Sequence, residues 1–312
     1  MERAAGHGEE TGRGVEATLY VVATPIGNLK DITLRALDAL KSVDVIAAED
    51  TRVTSRLLDH YAIRAKKLIA LHGHNESRSA RGIVERLAAG ESVALVSDAG
   101  TPAFSDPGAR LIETVRAAGY RVSPVPGPNA AAAALSASGL AGPQFLFHGF
   151  LPPRAAERRR ALGALVDSPW LTVFYEAPHR VVETVGDLEA VFGGARRIVI
   201  ARELTKLFES IHVCALAEAG AWLGGDANRV RGEFVLIVEG APANRDAVSN
   251  DARRTLEVLL EELPVKQAAA LAARLTGARK NALYDMALAM KECRAASDAP
   301  AESHDPGRSP DR

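Results

Sequence analysis

Between Thr18 and Pro126 the sequence alternates short apolar runs with longer amphipathic ones, and this rhythm restricts the possible folds more than any other feature. TLYVVAT, VDVIAA, KLIAL, SVALVS and RVSPVP read as strands. Between them, DITLRALDALKSV, RVTSRLLDHY, SARGIVERLAAG and ARLIETVRAAG carry apolar residues at helical spacing. In the first of these Ile32, Ala36, Leu37, Leu40 and Val43 form the apolar stripe, and Asp31 is placed to cap the amino end. Strands alternating with helices of about 10 to 15 residues imply a parallel sheet with crossovers. In such sheets a ligand sits beyond the carboxyl ends of the strands. The segments there are TPIGN, AEDTR, HGHNE, DAGTPAFSDPG and PGPNAAAAALSASG. Any one of them reads equally as an ordinary turn; a succession of polar, glycine-rich segments on one edge points to a binding site.

From Phe145 the texture changes. LTVFYE, RRIVIARE, ESIHVCAL and GEFVLIVEG alternate with fewer helices, which predicts a mixed sheet. A chain of 312 residues has room for two domains of about 150 residues each. The expected organisation is an unstructured lead over 1–17, an N-terminal α/β domain over 18–140 and a second α/β domain over 141–240, with the joint near Gly139 to Pro143. APANRDAVSND then reads as a linker, and TLEVLLEEL, VKQAAALAARLTG and KNALYDMALAM as short helices within 252–291. The segment 295–312, rich in Ser, Asp, Pro and Arg, reads as disordered.

Composition narrows the chemistry. The 38 basic and 39 acidic side chains nearly cancel, so no whole-protein field draws in nucleic acid or anionic membrane, and any polyanion contact must be local. Cys214 and Cys293 are too few for a disulfide framework or a cysteine metal site, and fit a reducing cytoplasm. The first residues lack the apolar run of a signal peptide, and no stretch of about 18 apolar residues occurs elsewhere. GxGxxG after the first strand, GxxxxGK[ST], HExxH and CxxC are all missing, which disfavours dinucleotide dehydrogenases, P-loop NTPases and zinc hydrolases. Pro25 and Gly27 follow the first strand directly, where glycine allows close backbone approach; Asn28 and Asp31 suit helix caps or ligand contacts alike. In VSDAGTPAFSDPG, Gly100 and Gly108 free backbone amides, but Asp98 and Asp106 would repel a phosphate, so a bare anion is a poor ligand for this loop.

Taken in order, TPIGNLKDIT, IAAEDTR, HGHNE, VSDAGTPAFSDPG, VPGPNA, FLFHGFLP, FYEAPHR, ARELTK and GEFVLIVEG form a specific series from about Leu19 to Gly240. It resembles the bacterial 16S ribosomal RNA (cytidine-2′-O)-methyltransferases of the tetrapyrrole methylase superfamily. VKQAAALAARLTGARKNALYDMAL resembles their helix-turn-helix-like tail. The resemblance implies a two-domain α/β fold, S-adenosylmethionine held in the cleft between domains, a homodimer, and methylation of a cytidine ribose in the decoding region of the small subunit; with metal-site motifs missing, no metal is expected. A cation with an ammonium and a ribose diol suits carboxylates and carbonyls better than a phosphate nest would. By the same resemblance the cofactor positions are Gly100, Thr101 and Pro102, with Asp98, Ala99, Ser105 and Asp106 as neighbours and Pro25 and Gly27 nearby. Asn129 and Ala130 form a second wall, and Tyr175, Glu176, Gly232, Glu233 and Phe234 the side from the second domain. Asn129 departs from the Ser usual in the family, although it still offers a donor and an acceptor. Phe174 and Val235 read more simply as core.

Transfer to a ribose hydroxyl needs alignment and a group that takes or stabilises the proton's charge. Glu49, Asp50, Arg52, His72, His74, Asn75, Glu203 and Lys206 are candidates by position and chemistry, each open to a structural ion pair or an RNA-phosphate contact instead. RNA contact is expected at local basic clusters: Arg154, Arg158, Arg159 and Arg160; Arg196, Arg197, Arg202 and Lys206; and Lys266, Arg274, Arg279 and Lys280 in the tail. A solvated helix face is the alternative for each. Two other functions fit the same scaffold, a precorrin methyltransferase and a nonenzymatic RNA-binding assembly factor.

Overall fold

A computed structural model describes residues 17–71, 76–142, 144–242 and 250–297. The candidates His72, His74 and Asn75, and most of both terminal segments, lie outside the described residues.

The expected parallel sheet is present. Strands β1 (Thr18–Val22), β2 (Val45–Ala48), β3 (Leu68–Ala70), β4 (Val93–Val96) and β5 (Arg121–Val125) pair in the order β3-β2-β4-β1-β5. Every pairing in this sheet is parallel. Helices α1 (Leu34–Ser42), α2 (Thr51–His60), α3 (Glu76–Ala88) and α4 (Ala109–Ala117) make the crossovers. The continuous apolar runs VIAA and VALV are buried throughout because both faces of the sheet are covered. Ile46, Ala48, Ala94 and Val96 pack with Ala36, Leu40 and Leu58 of α1 and α2. The alternate residues Val45, Ala47, Val93 and Leu95 pack with Ile83, Leu87, Leu111 and Val115 of α3 and α4, as a period of two requires.

The cap of α1 differs from expectation. Thr33, not Asp31, accepts the Ala36 amide at 3.1 Å. Asp31 ends a short 3-10 turn, Leu29–Asp31, whose own cap is Asn28. A threonine at the last extended position is nearer the free amides than an acid inside the preceding turn.

The second sheet holds β6 (Phe145–Phe150), β7 (Leu171–Glu176), β8 (Arg197–Arg202), β9 (Ser210–Ala215) and β10 (Phe234–Val238), ordered β6-β7-β10-β8-β9. It is mixed: β6 and β7 are parallel, and the other pairs antiparallel. Helices α6 (Ala155–Gly163), α7 (Val181–Phe192) and α8 (Leu216–Gly224) cover one face, around Phe174, Ile198, Ile200 and Leu236. Val173, Val199, Val235 and Ile237 on the other face pack against Ala131 and Ala134 of α5 (Ala130–Ala137). The alanine run after β5 therefore has a packing reason: small side chains let α5 lie close on the second sheet. Both sheets belong to one compact unit, which runs to Val166 and again from Trp170 to Gly240.

Residues 167–169 and the chain from Ala241 form a second unit. Its helices α9 (Asn250–Glu262), α10 (Val265–Thr276) and α11 (Lys280–Ser297) bury Leu256, Ala268, Ala272 and Leu283 together. Gly277, at φ +73°, closes α10 in the left-handed conformation that glycine adopts most cheaply. Two boundaries differ from expectation: α9 begins within the stretch read as linker, and α11 continues past Ala295 to Ser297. No helix among the described residues is long and apolar enough to cross a membrane.

Candidate active site

The loops beyond β1 and β4 are tied to each other. Thr24 and Gly100 exchange backbone hydrogen bonds at 2.9 and 3.0 Å, and the Thr24 hydroxyl donates to the Ser97 carbonyl at 3.1 Å. Gly100 holds φ +82°, and a Cβ there would stand 3.3 Å from Ile26 Cγ2. The Thr101 hydroxyl donates to the Pro128 carbonyl at 3.1 Å, joining the acidic loop to the loop before α5. At its far end the acidic loop enters α4 through Gly108, which has no side chain to cap the helix. Glu76 supplies the cap from a distance: its buried Oε1 accepts the Gly108, Arg110 and Leu111 amides at 3.1, 2.8 and 3.2 Å. Sequence reasoning quoted this residue in HGHNE but assigned it no role.

These loops and the second sheet enclose a cleft of about 420 Å³. Glu49, Asp98, Ala99, Gly100, Thr101, Asp106, Asn129 and Ala130 line it from the first sheet, and Tyr175, Glu176, Glu233 and Phe234 from the second. Ile26, Phe104, Phe150, Leu204 and Val235 supply apolar walls that sequence reasoning missed or, for Val235, assigned to the core alone. Aromatic packing sets the width: Phe104 stacks on Phe147 with centroids 4.1 Å apart, and Phe147 meets Tyr175 edge-on at 5.0 Å. The Tyr175 hydroxyl accepts the Ala131 amide at 3.2 Å, and Asn129 caps α5 through the Ala132 amide at 3.0 Å. Backbone strain gathers here as well, with Ala103, Ser105, Glu203 and Thr205 all at positive φ.

The electrostatics of the cleft are one-sided. Burial, with Glu49 and Asp98 nearby, pushes the Asp106 carboxyl up to about 6. Burial also raises Asp98, with Asp50 adding to it, and raises Glu49, with Asp98 and Asp50 adding to it. Carboxylates that are hard to ionise together form a site that gains from a cation. No group of three or more potential ligands among the described residues is arranged to hold a metal ion.

Other candidates are occupied within the protein. Asp50 caps α2 through the Arg52 amide and clasps the Arg52 guanidinium, which holds its carboxyl at about 2. Lys206 Nζ donates to Glu203 at 2.9 Å and Glu233 at 2.6 Å. Burial opposes the ammonium, but those hydrogen bonds outweigh it and raise Lys206 above the usual lysine range. Burial likewise pushes Glu203 up, yet Lys206 holds it below its ordinary value. Gly232, at φ +90°, is pressed against Glu203, where any Cβ would lie 2.4 Å from the carboxylate. Glu176 is buried, its carboxylate taken up by Thr184 at 2.6 Å and Arg180 at 3.4 Å. Pro25 and Gly27 line an adjoining pocket instead of the cleft, while Pro102 and Ser105 shape the loop without lining either. A Cβ on Gly27 would fall 2.5 Å from Lys206 Cγ, so this glycine is required by the approach of a neighbouring turn.

The basic clusters are corrected in part. Arg158 is buried, with its Nε 2.6 Å from Asp187 Oδ2, so it is not a surface cation. Arg202 donates to the Phe208 and Arg231 carbonyls, and Arg197 is paired with Glu239. Arg159 pairs with Asp187 and Arg154 with Glu157, both from exposed positions. Arg160, Lys266, Arg274, Arg279 and Lys280 are exposed.

Residues 18–220 match the family Tetrapyrrole (Corrin/Porphyrin) Methylases, and residues 246–291 match the RsmI C-terminal HTH domain. The chain belongs to the tetrapyrrole methylases. Within that family it is 52% identical over 273 residues to the Ribosomal RNA small subunit methyltransferase I of Escherichia coli O157:H7, covering 88% of this chain and 95% of that protein. The protein of the same name from Pseudomonas aeruginosa is also 52% identical, over 87% of this chain and 96% of its own length. Among solved structures, cobalt precorrin-4 methyltransferase (CbiF) superposes with a TM-score of 0.56 at 16% identity, covering 74% of this chain and 98% of its own. The methyltransferase CobJ gives 0.55 at 21% identity, covering 72% and 95%. At such identities these structures show the methylase fold alone, and the cleft lies where its two sheets meet.

Proposed function

We propose that this chain transfers a methyl group from S-adenosylmethionine to the 2′-hydroxyl of a cytidine ribose in the decoding region of 16S ribosomal RNA. The observation that carries the reading is half-identity, across nearly the whole chain, to proteins named ribosomal RNA small subunit methyltransferase I. It favours neither a precorrin substrate nor a nonenzymatic assembly factor.

The cleft fits the cofactor. Adenosylmethionine supplies a methyl group on a positively charged sulfur. Glu49, Asp98 and Asp106 would balance the cationic groups, Gly100 and Thr101 offer backbone at close range, and Ile26, Phe104 and Val235 offer apolar surface. Holding both reactants in one water-poor site supplies much of the rate enhancement. For the hydroxyl proton, Asp50, Glu203 and Lys206 are engaged as described; among the described candidates Glu49, raised and lining the cleft, is the acceptor this reading assigns. Replacing Glu49 with Gln should remove the ascending limb of the kcat–pH profile and leave KM for subunits unchanged; an intact limb would exclude that role.

Cofactor affinity should fall with acidity, because a cation binds the ionised carboxylates. As Asp106 is protonated below about pH 6, the dissociation constant is expected to rise by up to about tenfold per pH unit. Above that range it should level off. Titration calorimetry from acid to neutral pH reads this directly, and a flat profile would remove Asp106 from the site.

We also place the protein in the cytoplasm, acting as a homodimer on ribosomal RNA or the small subunit. The exposed Leu207 and Phe208 beside the edge strand β9 support an apolar contact with a second copy. Sedimentation velocity of the purified chain would show the monomer mass if this is wrong. The decisive experiment for the activity supplies labelled cofactor and small subunits lacking the modification. Ribose-methylated 16S RNA is expected, and unlabelled RNA would refute the assignment.

A further inference from the structure

A second pocket of about 350 Å³ adjoins the cofactor cleft and shares Ile26, Asp98, Ala99 and Glu233 with it. Its volume lies within the range of small-ligand sites. One wall is apolar and partly exposed: Leu29 and Val53 each keep 37% of their surface, and Leu57 lies beside them. Two cations stand at the same pocket. Lys206 is held by Glu203 and Glu233, whereas the exposed Arg56 on α2 makes no ion pair or side-chain hydrogen bond with the described residues. What distinguishes Arg56 from the other exposed arginines is its place at a pocket, where a guanidinium not held by a carboxylate is a site for an anion.

We propose that this pocket receives the acceptor nucleotide, with the base against Leu29, Val53 and Leu57 and a flanking phosphate on Arg56. The ribose then falls at the shared wall of Asp98 and Ala99, facing the cofactor cleft. An apolar face for a base, a fork of N–H donors for a phosphate and an opening toward the methyl donor are the parts an RNA acceptor requires. Arg56 is thus a substrate-binding residue for the reaction proposed above, and the assignment rests on that reading.

Three variants of the full chain test it, with wild type measured alongside. Arg56→Ala should raise KM for unmodified small subunits roughly tenfold and lower the salt slope of RNA binding by about one unit. Arg56→Lys should recover part of the loss. Val53→Trp places an indole in the pocket from a partly exposed helix position, and should lower kcat/KM at least about 100-fold by blocking entry of the acceptor. Calorimetric affinity for S-adenosylmethionine and the melting temperature should be unchanged in all three, which separates pocket occupancy from misfolding. Wild type that binds cofactor but leaves 16S RNA unmethylated would overturn the activity, and this assignment with it. Methylation by wild type that persists unaltered in Arg56→Ala and Val53→Trp would overturn the pocket assignment alone.

Discussion

Replacing Gly100 with valine is expected to lower affinity for S-adenosylmethionine at least about 100-fold, or roughly 2.7 kcal/mol, while the chain still folds. Gly100 sits at φ +82°, a conformation that a β-branched residue adopts only at a cost of about 1–3 kcal/mol. A Cβ would already stand 3.3 Å from Ile26 Cγ2, so the valine methyls must displace Ile26 or enter the cleft that both residues line. Relieving the strain by rotating the peptide would break the paired hydrogen bonds with Thr24 and carry Thr101 away from Pro128. Either route damages the ligand surface, and neither reaches the sheet cores. Calorimetry for the cofactor and thermal melting for the fold separate the two effects. Wild-type affinity in the valine variant would remove this loop from the cofactor site.

The fold was legible because hydrophobic periodicity is local information. The runs VIAA and VALV, and the stripe through Ala36, Leu40 and Val43, are buried as their spacing requires. The rule that ligands sit beyond the carboxyl ends of parallel strands then brought the loops of Glu49, Gly100 and Asn129 to one cleft. What stayed illegible depends on partners far along the chain. The cap that Glu76 gives α4 spans more than thirty residues, and the bond from the Asn28 amide to Thr205 spans 177. No local pattern marks Gly27 as the floor under Lys206, or Arg56 as an arginine at a pocket with no carboxylate beside it. Arg158 had a signal that was overlooked. It precedes Leu162 by one helical turn, and both are buried on the same face of α6.

Arg158→Ala should therefore destabilise the first unit by about 3 kcal/mol without weakening RNA binding by the folded protein. Only 1% of the Arg158 side chain is exposed, and its guanidinium contacts Asp187 at 2.6 Å, the Pro153 carbonyl at 3.2 Å and Glu183 at 3.5 Å. Burial pushes the Asp187 carboxyl up, but hydrogen bonds from Arg159 and Arg158 outweigh it and hold it below the usual carboxylate range. Truncating Arg158 leaves that buried acid with Arg159 alone, orphans a carbonyl and opens a cavity beside Leu162; each effect acts in the same direction. Arg160 is exposed on the same helix, so Arg160→Ala should change stability by no more than about 0.5 kcal/mol. Replacing Arg158 and Asp187 together with apolar residues of similar size should restore most of the loss, because the charge left unpaired by the single variant is gone. Urea denaturation of the three variants measures these differences. An Arg158→Ala midpoint equal to wild type would mean that the guanidinium faces solvent and would return Arg158 to the RNA-binding surface.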